Sequence, residues 1–230
     1  MVGTFAPGGA YLLHVWHVRQ KPGVQQTASN RTVSMDNMVL LRAYSPQSFE
    51  DLKKIAGKTV WMRNGYTMAY FPVEGGRIAF AHPAGVVPSI QKMEIKRFVK
   101  AATPATVDDG MSHGTAQAFA LFTLPGSANQ YAVAAGAING AEQMYFCDLL
   151  FYYDDPHGIY GHWTQEVWQA IDAHQVRPGM SELQTRMAIG QKTHASNHMP
   201  GDRTVDYDQA GRTWTVTYKD DKAAEIKAPQ

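Results

Sequence analysis

The rhythm of apolar residues changes along this chain. Short β-type runs fill 38–153, a helical period follows from 164 to 190, and β-type alternation returns after 203. MVLLRAY (38–44) reads as a strand. SPQSFEDLKKIAG (45–57) reads as a short helix: Ser45 caps it, Pro46 opens it, Glu50 and Asp51 lie early, Lys53 and Lys54 late, and Gly57 stops it. Phe49, Leu52, Ile55 and Ala56 give that helix one apolar face. KTVWMRNGYTMAYF (58–71) sets two β-rich runs around Asn64-Gly65, a two-residue hairpin signal. RIAFA (77–81) and KMEIKRFVK (92–100) add strands, so 38–100 has the content of a small, strongly bent barrel.

After a loop over 101–116, QAFALFT (117–123) and YAVAAGAI (131–138) begin a second β block. QMYFCDLLFYY (143–153) is almost wholly apolar and predicts a strand buried on both faces. TQEVWQAIDAH (164–174) is helical, with Val167, Trp168 and Ile171 on one stripe, and Pro178-Gly179 breaks it. SELQTRMAIG (181–190) opens with Ser181 and Gln184, a capping box, and ends at Gly190. RTVDYD (203–208), TWTVTY (213–218) and AAEIK (223–227) then form a meander. In it Trp214, Val216 and Tyr218 alternate with Thr213, Thr215 and Thr217, which leaves the sheet one wet face. The expected class is α+β: an N-terminal arm or linker over 1–37, a β-rich domain over 38–153 (a small barrel-like region plus a central antiparallel block), and an α-α-β-β-β module over 154–230.

The C-terminal third, PGMSELQTRMAIG followed by TWTVTY and DDKAAEIK, resembles the SmpA/OmlA (BamE-like) family over roughly 164–227. That α-α-β-β-β module pairs "GMS…LG" helices with a strand reading "W-x-V-x-Y", and β-lactamase inhibitor proteins share its two-layer topology. The resemblance implies a noncatalytic module that presents a sheet or helix face to a protein or cell-wall ligand in the bacterial cell envelope, in the periplasm or at a membrane. A lipobox cysteine near the start is missing, so lipid anchoring does not carry over. The 38–100 block resembles a bacterial SH3-like barrel.

Composition narrows this picture. At 230 residues, 44% hydrophobic and 18% charged, the chain is globular and long enough to bury a core. Net charge is +1; residues 1–150 hold 13 basic and 9 acidic side chains, and 151–230 hold 8 and 11. No nucleic acid is expected as partner, and KMEIKRFVK, interrupted by Glu94, reads as a solvated face. Cys147 is the one cysteine and reads as a buried hydrophobe. AYLLHVWHV (10–18), followed by Arg19 and Lys21, is too short to span a bilayer. It reads as a short strand or ordered arm, or as the end of a membrane anchor meeting its exit.

Candidate chemistry gathers in FYYDDPHGIYGHW (151–163), where Asp154, Asp155, His157 and His162 are ligand types for zinc or a harder ion. Asp-Asp-Pro-His-Gly is also good turn chemistry, and the spacing of His157 and His162 matches no helical face. Asp148 is the one charge in the apolar run 144–153, where a carboxylate must find a partner or face a pocket. His14 with His17 and His194 with His198 lack a companion carboxylate. Gly57-Lys58-Thr59 lacks the earlier glycine of a phosphate loop, Leu52 standing there.

Trp61, Tyr66, Tyr70 and Phe71 on the first hairpin offer a different surface, since exposed aromatics on a small barrel bind peptides or glycans; the competing reading is a core built from the same rings. The expectation is a noncatalytic binding or assembly module with no catalytic residue, metal or cofactor. Its contact residues are Trp61, Tyr66, Tyr70, Asp148, Asp155, His157 and His162. The competing expectation is a metal-assisted hydrolase at Asp148, Asp154, Asp155, His157 and His162, which requires these groups to converge on one cavity.

Overall fold

The computed structural model describes residues 35–199 and 201–229. Met35–Met38, a 3-10 turn, ends one unit of the chain, and a second, larger unit begins at Val39. The expectations for AYLLHVWHV, His14 and His17 lie outside the described residues.

In chain order the elements of the larger unit are β1 (Thr59–Met62), β2 (Ala69–Glu74), β3 (Arg77–Ile78), β4 (Gly85–Val86), β5 (Lys92–Ala101), β6 (Ala116–Thr123), β7 (Gln130–Asn139), β8 (Glu142–Tyr145), α1 (Cys147–Leu150) and β9 (Phe151–Tyr152). Then come α2 (Pro156–Ile159), α3 (Gln165–Asp172), α4 (Glu182–Ile189), β10 (Gln191–Ala195), β11 (Arg203–Gln209), β12 (Arg212–Lys219) and β13 (Lys222–Lys227). The class is α+β. Nine antiparallel strands make one sheet in the order β3-β2-β7-β6-β5-β1-β9, with β4 beside β2 and β8 beside β7. The second sheet is the antiparallel meander β10-β11-β12-β13.

The first core centres on β6 and β7, buried at every position from Gln117 to Phe122 and from Ala132 to Ile138. Small side chains let strands approach there. A Cβ at Gly136 would stand 2.6 Å from the Met144 carbonyl oxygen and 2.8 Å from the Tyr145 ring. The second core joins the α3–α4 pair to the meander through Trp168, Ile171, Met187, Val205, Tyr207, Val216 and Tyr218. Local signals hold well here: Thr164 caps α3, and Ser181 with Gln184 closes the capping box of α4. The buried hydroxyls of Tyr207 and Tyr218 bond each other at 2.7 Å, while Thr204–Thr217 and Thr215–Asp206 pairs line the outer face.

Several expectations for 38–153 are corrected. The described residues contain no closed barrel, and the runs flanking Asn64-Gly65 do not pair as a hairpin. β1 lies between β5 and β9, whereas β2 joins β7, β3 and β4. Tertiary bonds carry the chain away at this point. The Arg63 N–H donates to the Leu150 carbonyl at 2.7 Å, and the buried Asn64 amide oxygen accepts from the Tyr152 hydroxyl at 2.7 Å.

The stretch expected as a strand at 38–44 enters no ladder after Met38. The expected helix at 45–57 shrinks to a 3-10 turn, Asp51–Lys54. Ser45 does not cap it, and the Asp51 carboxylate instead collects the N–H groups of Gln47 and Ser48 and the Ser48 hydroxyl. Leu52 and Ile55 are buried as its apolar face required.

The apolar run 143–153 is not one strand. It splits into β8, whose Met144 is 59% exposed, then α1, then β9. The Phe146 N–H still bonds the Ala135 carbonyl, but its φ of −108° and ψ of 13° turn the chain into α1.

Candidate functional site

The turn 151–163 is held by its own side chains. Asp155 caps α2 by accepting from the His157 N–H at 3.0 Å, with Pro156 at the first helical position. His157 bridges two carboxylates: Nδ1 lies 2.9 Å from Asp155 Oδ1 and Nε2 3.2 Å from Asp172 Oδ1. Its ring stacks on Trp168 with centroids 4.1 Å apart. Partial burial lowers the His157 pKa, but the hydrogen bonds to Asp155 and Asp172 outweigh it and leave the group above the ordinary histidine value. Asp154 pairs with Arg42 at 3.1 Å, and His162 lies against Tyr160 and Trp163. Trp163 is buried, stacked on Tyr160 at 4.5 Å.

Asp148 lies in the first turn of α1 and is half-buried. Its carboxylate accepts the Tyr44 N–H at 3.1 and 3.2 Å, the Ser45 N–H at 2.7 Å and the Tyr153 hydroxyl at 2.8 Å. Burial, together with the bond to Asp148, raises the Tyr153 pKa beyond the ordinary range. Asp148 and His157 thus belong to two separate hydrogen-bond sets. Among the described residues, no three His, Cys, Asp or Glu side chains are grouped so as to hold a metal ion. Cys147 is fully buried and its thiol is pushed up to about 12, mainly by desolvation, so it offers no ready thiolate.

The four aromatics separate, and Phe71 is fully buried, so it offers no binding surface. Trp61 is half-buried against the second core with Lys92 Nζ 5.5 Å from its ring centroid. Tyr70 packs on the first core among Phe122 and Tyr131. Tyr66 alone of the four is open, 41% exposed, and it stands where the two sheets meet.

Two adjoining lobes there, of about 220 and 370 Å³, share Tyr66, Thr67, Val86 and Gln191 as walls. The Thr67 hydroxyl donates to Gln191 Oε1 at 2.7 Å, tying β10 to the loop before β2. The Gln191 NH₂ is left without a partner among the described residues, and so is the Arg212 guanidinium, which lines the smaller lobe. His174 donates from Nδ1 to the Ala188 carbonyl at 3.0 Å, because a carbonyl can only accept, and its Nε2 remains available. Ser89 adds a hydroxyl that also has no partner among the described residues. Mainly apolar walls in the smaller lobe, with a few uncommitted polar groups, are the chemistry of a ligand cleft.

Sequence reasoning missed every partner of Tyr66 in this cleft. Gln191, His174 and Arg212 reach it from the C-terminal module, and Asp108 and Gly110 from the loop at 101–116. A local signal existed at Asp108-Asp109-Gly110. Asp109 is fully buried, accepts the Met111 N–H and lies 3.5 Å from His113 Nε2. Gly110 packs so tightly on the chain before β2 that a Cβ would stand 2.1 Å from the Thr67 carbonyl oxygen. No family model, no curated protein and no solved structure matches this chain.

Proposed function

We propose that this chain is a noncatalytic binding module that holds a protein or cell-wall ligand in the cleft beside Tyr66. The placement in the bacterial cell envelope follows the resemblance of the C-terminal third to SmpA/OmlA-like modules. One observation carries the reading: the open aromatic of 58–71 stands on a cleft whose amide, imidazole and guanidinium groups have hydrogen-bonding capacity to spare. The hydrolase alternative draws no such support, since Asp148 is committed to Tyr44, Ser45 and Tyr153 while His157 is committed to Asp155 and Asp172.

Co-sedimentation with purified peptidoglycan sacculi tests the proposal. Cell-wall binding predicts that the protein pellets with sacculi, and that Tyr66→Ala and Gln191→Ala each weaken pelleting by roughly tenfold, about 1.4 kcal/mol, with thermal stability kept. Protein that stays in the supernatant removes the cell-wall ligand. Release of soluble muropeptides by the protein would sink the noncatalytic reading.

A further inference from the structure

Residues 39–45 lie across the body without joining a sheet. Side chains alone hold them. Arg42 pairs with Asp154 at 3.1 Å, Asp148 receives the N–H groups of Tyr44 and Ser45, and the Tyr44 ring meets the edge of Tyr153 at 4.7 Å with Lys58 Nζ 5.3 Å from its centroid. Val39 and Leu41 pack on the second core, while Leu40 between them is 95% exposed. The seat therefore holds the segment through a cation two residues before an aromatic and through two backbone amides. No ladder has to break for the segment to leave.

The exit from this seat is strained. Ser45 has φ +46° and precedes Pro46. A residue before proline strongly prefers extended backbone, and a left-handed conformation in a non-glycine residue is costly in itself. Opening the chain at Ser45 relieves that conformation. Strained short hinges favour the exchange of identical segments between copies, because every contact of the seat is re-formed in trans. We infer that 39–45 is an exchangeable arm, and that the seat built by Asp148, Tyr153, Asp154 and Lys58 takes the same arm of a second copy of this chain.

The test uses the full chain. Arg42→Cys and Asp154→Cys are made in separate copies bearing different tags, mixed, and treated with a short bismaleimide. Cys147, fully buried, stays silent. Arm exchange predicts a cross-linked dimer carrying both tags, well above a control pair of Lys53→Cys with Asp154→Cys. Adding Asp148→Ala to both copies deletes the amide acceptor from the cis and trans seats alike, so the mixed-tag yield falls only in step with the intrachain cross-link of the double variant. Adding Ser45→Gly lowers it several-fold, because glycine accepts positive φ and removes the drive to open. Mixed-tag dimer at the control level overturns the inference. So does a double variant, Arg42→Cys with Asp154→Cys, that cross-links only within one chain, and so does a yield unchanged by Ser45→Gly.

Discussion

Asp148 shows how one side chain can organise its surroundings. The sequence marks it as a charge in an apolar run, and its partners prove to be two backbone amides more than 100 residues away and a neighbouring tyrosine hydroxyl. Asp148→Ala is expected to cost about 2 kcal/mol, the worth of charge-assisted bonds in a half-buried setting, seen as a lower urea midpoint at unchanged slope. Asp148→Asn keeps an acceptor oxygen and should cost less. His157 works differently. Its pKa is raised in the folded state, so its contribution is full below the unfolded value of about 6.5 and fades as pH rises through the folded value. The melting temperature should therefore fall over that window, and His157→Gln should flatten this part of the profile. A wild-type profile identical to that of His157→Gln would remove the bridge as a source of stability.

Elements differ in how far local sequence commits them. The α4 cap, β11 to β13 and β5 to β7 follow their own signals closely, because capping, periodicity and turn residues act within a few positions, whereas β10 carries no such signal. The run 143–153 does not, since continuous apolarity is shared by a buried strand, an edge strand and a helical corner. Here β8 is an edge strand that approaches β7 because position 136 has no side chain. Gly136→Ala should destabilise by roughly 1–3 kcal/mol through overpacking. Faster hydrogen exchange confined to β8 and its pairing with β7 would be the accompanying sign, and unchanged stability would contradict the close approach.

At the scale of the molecule, β9 is the stitch between the two cores. Tyr152 belongs to the second core, while Phe151 and Tyr153, on either side of it, belong to the first. Its hydroxyl satisfies Asn64, and Arg63 lies over its ring at 5.3 Å. Tyr152→Phe strands the buried Asn64 oxygen and should cost about 1–3 kcal/mol. Tyr152→Ala removes the stitch itself. Calorimetry should then resolve two transitions where the wild type shows one. A single transition in that variant would mean that the cores couple elsewhere.

Sequence alone determined the α+β class, the two helices with the capping box of α4, the strands β11 to β13 with their threonine face, the strands β5 to β7, and the turn chemistry of 154–158, but not β10, the fourth strand of the second sheet. Each depends on residues within one turn or one strand of each other. Tertiary structure decided the partners of Asp148, the fate of Asn64-Gly65, the break in 143–153 and the cleft beside Tyr66. These bring together groups more than 100 positions apart in the chain, as Thr67 and Gln191 are. No periodicity encodes such a pairing, because it is set by which surfaces close over the two cores.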